Sequence, residues 1–387
     1  LGKQVQPVQG KPWTLAQLME AILRFKRDDL AAFDERVQLE VGQHLYGQTL
    51  GRLPDRDQDA LKKGVEPSIR ILTDDEWIAG LPWNLLADRA VFRATTGWSI
   101  AVCQRRAEGE LELPPSPRML IVAPEPPSLK RPTRSGDHLE ELEDMLSSHD
   151  RRLSLGDNLK VARTWDDFLQ LVEDFQPEII YYYGHGVGDE RVTRLVFETG
   201  PDRRPIGKPM SDFALCLRRI KRPPILAYIN CCLGDAGGYL GAGFQLSDFI
   251  PAVITNRTVA EVPVARAQAL NFWKNILLQA VPPHKAVVNL YAEMDLNLLS
   301  TKDYRWITPV LHAHYRLWKA EPPKRRDRIS QDPHWHLKID RVNQYNAVVA
   351  QTRLMLRERK PKSLVFVWYG QEGQGVETFH KRLLVEL

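Results

Sequence analysis

The chain has 387 residues, 43% hydrophobic and 26% charged, with 53 basic against 49 acidic side chains and a net charge of +4. That length asks for two domains or one large elaborated one, the composition is that of a folded globular protein, and so mild a charge does not by itself imply nucleic acid. The apolar runs fall short of the roughly 18 residues that cross a bilayer and the first ten residues lack the core of a signal peptide, so a cytoplasmic location without membrane contact is expected.

Residues 14–46 carry apolar side chains at helical spacing, Leu15, Leu18, Met19, Ile22 and Leu23 among them, behind Thr14 as a cap. A helical region over 1–66 that packs on the next domain is predicted. From residue 68 the texture changes to short strands, "SIRILT" and "SIAVCQ", around the segment "GLPWNLLAD" at 80–88. The strand "MLIVAP" follows, and prolines and basic residues over 124–136 read as a flexible surface loop.

An α/β rhythm then begins. "NLKVARTW" precedes the amphipathic "DDFLQLVEDF"; "EIIYYYGHG", "DFALCLRRI", "PILAYINCC", "PAVITN" and "ARAQALNFWKNILLQAV" alternate strand and helix. Apolar strands separated by helices of this length predict crossover units, a mostly parallel central sheet and helices on both faces, a three-layer α/β domain. Past Trp318 the chain turns polar and basic, so 319–338 reads as a linker. A second α/β module starts at 339 and the chain ends before its core closes; with Leu rather than Met in first place, this reads as a fragment.

Four cysteines, Cys103, Cys216, Cys231 and Cys232, show no CxxC pair and no metal-ligand spacing, so reduced thiols and no metal are expected. In a parallel sheet, functional groups gather at the carboxyl ends of strands. One strand ends in His185 and Gly186, and the other in Asn230, Cys231 and Cys232. If one crossover joins the two strands, His185 and a cysteine share one cleft, which is what a nucleophilic thiol needs to give up its proton. Side chains alternate across a strand, so one of Cys231 and Cys232 faces packing and the other the cleft. Backbone N–H groups at Gly186 and at the cysteine would form an oxyanion hole.

"IIYYYGHG" and "ILAYINCCLG" resemble the two signature blocks of the caspase-like cysteine peptidases, with His185 about 50 residues before Cys232. In that clan the nucleophile follows the pair of residues after the strand, which selects Cys232, with His185 as general base and acid and with Gly186 and Cys232 as the oxyanion donors. More narrowly, "GLPWNLLAD" and "YRWITPVLHAHY" at 304–315 resemble further blocks of the CHAT family, the bacterial branch of the clan, with Asn84 where an acid is usual. The resemblance spans roughly 40–318 and places the peptidase domain at 67–318. It implies a protein substrate, no cofactor, and a place in antiphage defence, with a gasdermin-like pore former as one target.

Asp189 and Asp235, with Asn230, are expected to touch substrate, although related peptidases that demand a basic residue before the cut often carry Asp where this chain has Asn230. The stretch "GQEGQGVE" has phosphate-loop glycines at Gly370 and Gly375, but Val376 and Glu377 replace the Lys and Ser/Thr that hold phosphate and magnesium. Nucleotide binding is therefore not expected. "IDRVNQ" at 339–344 resembles the start of the inactive nucleotide-switch (STAND-like) modules that follow CHAT domains, which implies a regulatory carboxyl-terminal module over 339–387. The pairs in "HAH" at 312–314 and "HWH" at 334–336 lack further ligands, and Tyr181, Tyr182 and Tyr183 read as a buried strand rather than a base-stacking platform. A catalytically silent scaffold of the same fold is the alternative.

Overall fold

A computed structural model describes residues 17, 35–63, 67–73, 75–89, 91–103, 111–114, 116–147, 153–188, 193–232, 234, 241–257, 261–298, 308–313 and 318–320. The chain divides into two compact units, 1–324 and 325–387, and the described residues all belong to the first. The glycine-rich stretch at 370–377, "IDRVNQ" and "HWH" lie outside the described residues.

Helices α1 (Glu35–Gln48) and α2 (Asp55–Lys63) precede strands β1 (Ser68–Leu72) and β2 (Ser99–Cys103). Strand β3 (Met119–Val122), helix α3 (Ser135–Ser147), strand β4 (Leu159–Ala162), helix α4 (Trp165–Phe175) and strand β5 (Ile179–Tyr183) come next. Strands β6 (Gly186–Gly188), β7 (Thr193–Thr199) and β8 (Arg204–Pro209), with helix α5 (Met210–Arg219), lead into β9 (Leu226–Asn230). Helix α6 (Ala242–Ser247), strand β10 (Ala252–Asn256), helices α7 (Val262–Trp273) and α8 (Pro283–Leu298) and strand β11 (Pro309–Ala313) follow.

Eight of these strands form one sheet in the order β1-β2-β11-β10-β9-β5-β3-β4. Five neighbours, β10, β9, β5, β3 and β4, run parallel; β11 is antiparallel to β10, and β2 and β1 follow the direction of β11. The sheet is thus mostly parallel, as the alternating strands and helices predict, with its direction reversed once.

Both faces are buried, so the inner strands are apolar throughout instead of alternating with polar residues. What alternates is the face. Ile179, Tyr181 and Tyr183 of β5 and Leu226 and Tyr228 of β9 join one core, which also holds Leu139, Leu142 and Leu146 of α3, Phe272 and Trp273 of α7, and Leu290 and Tyr291 of α8. Ile180 and Tyr182 of β5 and Ala227 and Ile229 of β9 enter the other core, with Phe168 and Val172 of α4, Phe213 and Leu217 of α5, and Leu246 of α6. Helix, sheet and helix make three layers. Each buried aromatic side chain removes 150–250 Å² from water, worth roughly 4–6 kcal/mol before entropy is counted.

Local sequence agrees with these elements. Thr164 caps α4 reciprocally: its Oγ1 accepts from the Asp167 N–H at 3.0 Å, and its own N–H donates to Asp167 Oδ2 at 3.3 Å. "GLPWNLLAD" forms a buried 3-10 turn at Trp83–Leu85, and Asn84 Nδ2 donates to the Pro309 carbonyl at 2.9 Å, which ties this block to β11. Of the long helix predicted over 14–46, the structure describes Gln17 as helical and α1 from Glu35; the rest lies outside the described residues. The helix predicted from Ala265 through Val281 runs as α7 to Trp273 and continues as a π-turn over Lys274–Leu278.

Candidate functional site

Strands β5 and β9 lie side by side and in register, Tyr183 opposite Asn230, so their carboxyl ends are level. The Gly184 N–H donates to the Asn230 carbonyl at 3.4 Å, extending the pairing one residue further. Gly186 and Cys232 are closer still: a Cβ placed on Gly186 would lie 2.3 Å from the Cys232 carbonyl oxygen and 2.9 Å from Cys231 Sγ. Only glycine fits there. The segment that carries His185 therefore rests directly on the one that carries Cys232.

His185 is partly exposed, and its Nε2 stands 2.6 Å from the Arg131 carbonyl oxygen. A carbonyl can only accept, so Nε2 carries the proton and, in the neutral ring, Nδ1 presents the lone pair. That is the tautomer of a base. The backbone of His185 is held as firmly. Its carbonyl accepts from the Val196 N–H at 3.1 Å, and Tyr182 Oη sits 2.9 Å from it and 2.7 Å from the Val196 carbonyl. Burial pushes the Tyr182 phenol well above its ordinary range, so the hydroxyl keeps the proton it shares between the two carbonyls. Because the peptide is planar and trans, a His185 carbonyl turned toward β7 turns the Gly186 N–H the other way.

Cys231 is 2% exposed and packs in the second core, where burial, with the neighbouring Cys232 adding to it, pushes its thiol far up. Burial also raises Cys103, to about 11, and Cys216. Cys232 is only partly buried and stands at the strand end. Of the pair, Cys231 is therefore the packed one and Cys232 the less buried.

Asn230 is placed differently from the expectation. It is 2% exposed; its Nδ2 donates to the Ala265 carbonyl at 3.0 Å and its Oδ1 accepts from Asn256 Nδ2 at 2.7 Å. This amide is spent on holding β9 to β10 and α7, and it offers no exposed face to a substrate. Asp189 and Asp235 lie outside the described residues.

The loop after β3 also differs from the flexible segment expected at 124–136. It is pinned at both ends: the Glu125 N–H donates to Glu198 Oε1 at 2.8 Å, and Tyr183 Oη donates to the Thr133 carbonyl at 3.0 Å. Helix α3 already begins at Ser135, where Ser135 Oγ donates to Glu125 Oε2 at 3.1 Å. Sequence reading missed the part this loop plays, because a main-chain carbonyl such as that of Arg131 has no residue-type signature.

Against Tyr181 and Tyr183 of the first core, His138 is fully buried, its Nε2 2.7 Å from Tyr181 Oη, and burial lowers its pKa to about 4. His312 of "HAH" is 1% exposed in β11, a core position. Among the described residues no group of three or more His, Cys, Asp or Glu is placed to hold a metal ion, and no helix is long and apolar enough to cross a membrane.

No family model matches the sequence, and no curated protein does. Among solved structures, the chain is similar to a chain of the Saccharomyces cerevisiae separase–securin complex, with 12% identity and a TM-score of 0.38 over 63% of this chain and 15% of that one. It is also similar to the Arg-specific cysteine proteinase gingipain R, with 9% identity and a TM-score of 0.41 over 72% of this chain and 67% of that one. This chain thus spans about 15% of the separase–securin chain it matches. Likenesses this distant carry no argument about activity. At the level carboxyl ends of the neighbouring strands β5 and β9, the chain sets Gly186 directly against Cys232 and holds His185 with its Nε2 on a main-chain carbonyl.

Proposed function

We propose that the domain is a caspase-like cysteine endopeptidase whose nucleophile is Cys232 and whose base is His185. The observation that carries this reading is the contact between Gly186 and Cys232, which leaves no room for a side chain and sets the two strand ends against each other. The Arg131 carbonyl on His185 Nε2 supports it, because it reserves Nδ1 for the thiol proton.

Cys232 Sγ attacks the scissile carbonyl carbon as its proton passes to His185 Nδ1. The negative oxygen is met by the N–H groups of Gly186 and Cys232. Collapse breaks the C–N bond, and His185 returns the proton to the departing amine. Water, deprotonated by His185, then attacks the thioester carbonyl carbon; the C–S bond breaks, the acid is released, and His185 returns the proton to Cys232 Sγ. Tyr182 and Arg131 fix the base from its two sides without touching the reacting atoms.

The substrate is read as a protein, and the domain as spanning 67–318 after a helical region at 1–66. The resemblance to CHAT peptidases supports control by the module at 339–387, a defence role and cleavage of a dedicated partner such as a gasdermin-like pore former; Asp189 and Asp235 are the proposed specificity residues. The test is to incubate the full chain with a mixed peptide library and sequence the new amino termini. Cleavage that disappears in both Cys232→Ala and His185→Ala is expected, and cleavage that persists in Cys232→Ala overturns the assignment.

A further inference from the structure

A carboxylate buried near a sheet's functional end is costly unless its partners are fixed in place. Glu198 of β7 is 2% exposed. It accepts from Arg203 Nε at 2.6 Å, from Arg203 Nη2 at 2.8 Å and from the Glu125 N–H at 2.8 Å. Arg203 Nη2 reaches on to the Glu125 carbonyl at 3.1 Å, so one ion pair grips both main-chain groups of a single loop residue. Burial is the largest single influence and would raise the Glu198 carboxyl, but the Arg203 fork, the Glu125 N–H and the nearby Arg163 charge together hold the group below its ordinary range, ionised.

The chain accepts backbone strain to build this grip. Arg203 has φ 51°, a left-handed conformation that disfavours any residue with a side chain, and its N–H closes the turn on the Gly200 carbonyl at 3.1 Å. Glu198 is fastened in turn, its N–H donating to the Arg163 carbonyl at 3.1 Å. Glu125 is one pin of the loop after β3 and Thr133 is the other. Between them lies Arg131, whose carbonyl receives His185 Nε2.

We propose that Glu198 and Arg203 are positioning residues: they hold the loop so that the Arg131 carbonyl keeps His185 in the tautomer and orientation that activate Cys232. The inference rests on reading His185 and Cys232 as a dyad. Neither positioning side chain touches the reacting atoms; they act through Glu125 and Arg131.

Alkylation of Cys232 by iodoacetamide in the full chain, followed by mass spectrometry across pH, tests this without a known substrate. In the native protein the imidazole keeps the thiol reactive near neutral pH, and His185→Ala lowers the rate about tenfold or more at pH 6.5, with little effect at pH 9.5, where a thiol ionises unaided. Glu198→Gln and Arg203→Gln are expected to move the midpoint of the profile up by about one unit, tenfold in rate at pH 6.5, with the rate at pH 9.5 within about twofold of native. Arg203 is 47% exposed, so Arg203→Gln serves if Glu198→Gln does not fold. An Arg203→Gln profile that overlays the native one overturns the inference, and so does an equal loss at both pH values, which marks a general disturbance of the cleft. A His185→Ala profile that overlays the native one overturns instead the dyad on which the inference rests.

Discussion

Replacing Gly186 with alanine forces a methyl carbon to within 2.3 Å of the Cys232 carbonyl oxygen and 2.9 Å of Cys231 Sγ. Ordinary contact begins near 3.4 Å, so one of the two segments must move by roughly 1 Å. The oxygen belongs to the backbone and cannot swing aside. Overpacking of this kind costs about 1–3 kcal/mol of stability, and a misplacement of about 1 Å between reacting groups costs on the order of 100-fold in rate. An ordinary thiol of pKa about 8.5 is only about 1% thiolate at pH 6.5, so losing the imidazole gives a similar figure for alkylation. Gly136 is the control, because nothing lies within 4 Å of a Cβ there and the position is helical. Iodoacetamide labelling of Cys232 at pH 6.5 is expected to fall at least about tenfold in Gly186→Ala and to stay within about twofold of native in Gly136→Ala. Native-rate labelling of a folded Gly186→Ala protein would refute the reasoning.

Acid acts on His138. Its folded pKa of about 4 lies below the ordinary value of 6.5, so between those values the unfolded chain binds the extra proton and stability falls as pH falls. Burial is the main cause, and Arg266 nearby adds to it while Glu141 opposes it. At pH 5 this group alone should remove about 2 kcal/mol of the stability present above pH 7. Urea unfolding at both pH values should show a pH difference about 2 kcal/mol smaller in His138→Phe than in the native chain, and an unchanged difference sinks the assignment. Cys231→Ala should cost roughly 1 kcal/mol, for a small buried group removed from the second core, and leave Cys232 labelling within about threefold of native. Abolished labelling in that variant would transfer the nucleophile to Cys231.

The alternation of strand and helix was plain in the sequence because buried parallel strands are continuous apolar runs, and "IIYYYG" and "PILAYIN" are long enough to stand out. The pairing of β5 with β9, which sets Gly186 against Cys232, was legible for the same reason: two such strands joined by one crossover are neighbours with their carboxyl ends level. Helix α3 was not read, although Leu139, Leu142 and Leu146 stand at helical spacing, since prolines just upstream mask its start. The β7–β8 hairpin was also missed, although its turn carries Gly200, itself left-handed, followed by Pro201 and Asp202; the short strands beside it lack the long apolar run of the central ones. Asn230 was misplaced because residue type says nothing of which side of a strand end faces solvent. The grip on His185 is invisible in sequence for a deeper reason: it runs through the carbonyl of Arg131 and the N–H groups of Val196 and Glu125, main-chain groups with no residue-type signature.

The central claim is that His185 activates Cys232. An irreversible acyloxymethyl-ketone probe applied to the native full chain, with modified residues mapped by mass spectrometry and His185→Ala run in parallel, tests it most directly. Modification concentrated at Cys232 and falling about tenfold or more without His185 is the predicted result. Slow labelling spread over all four cysteines, indifferent to His185, would contradict it.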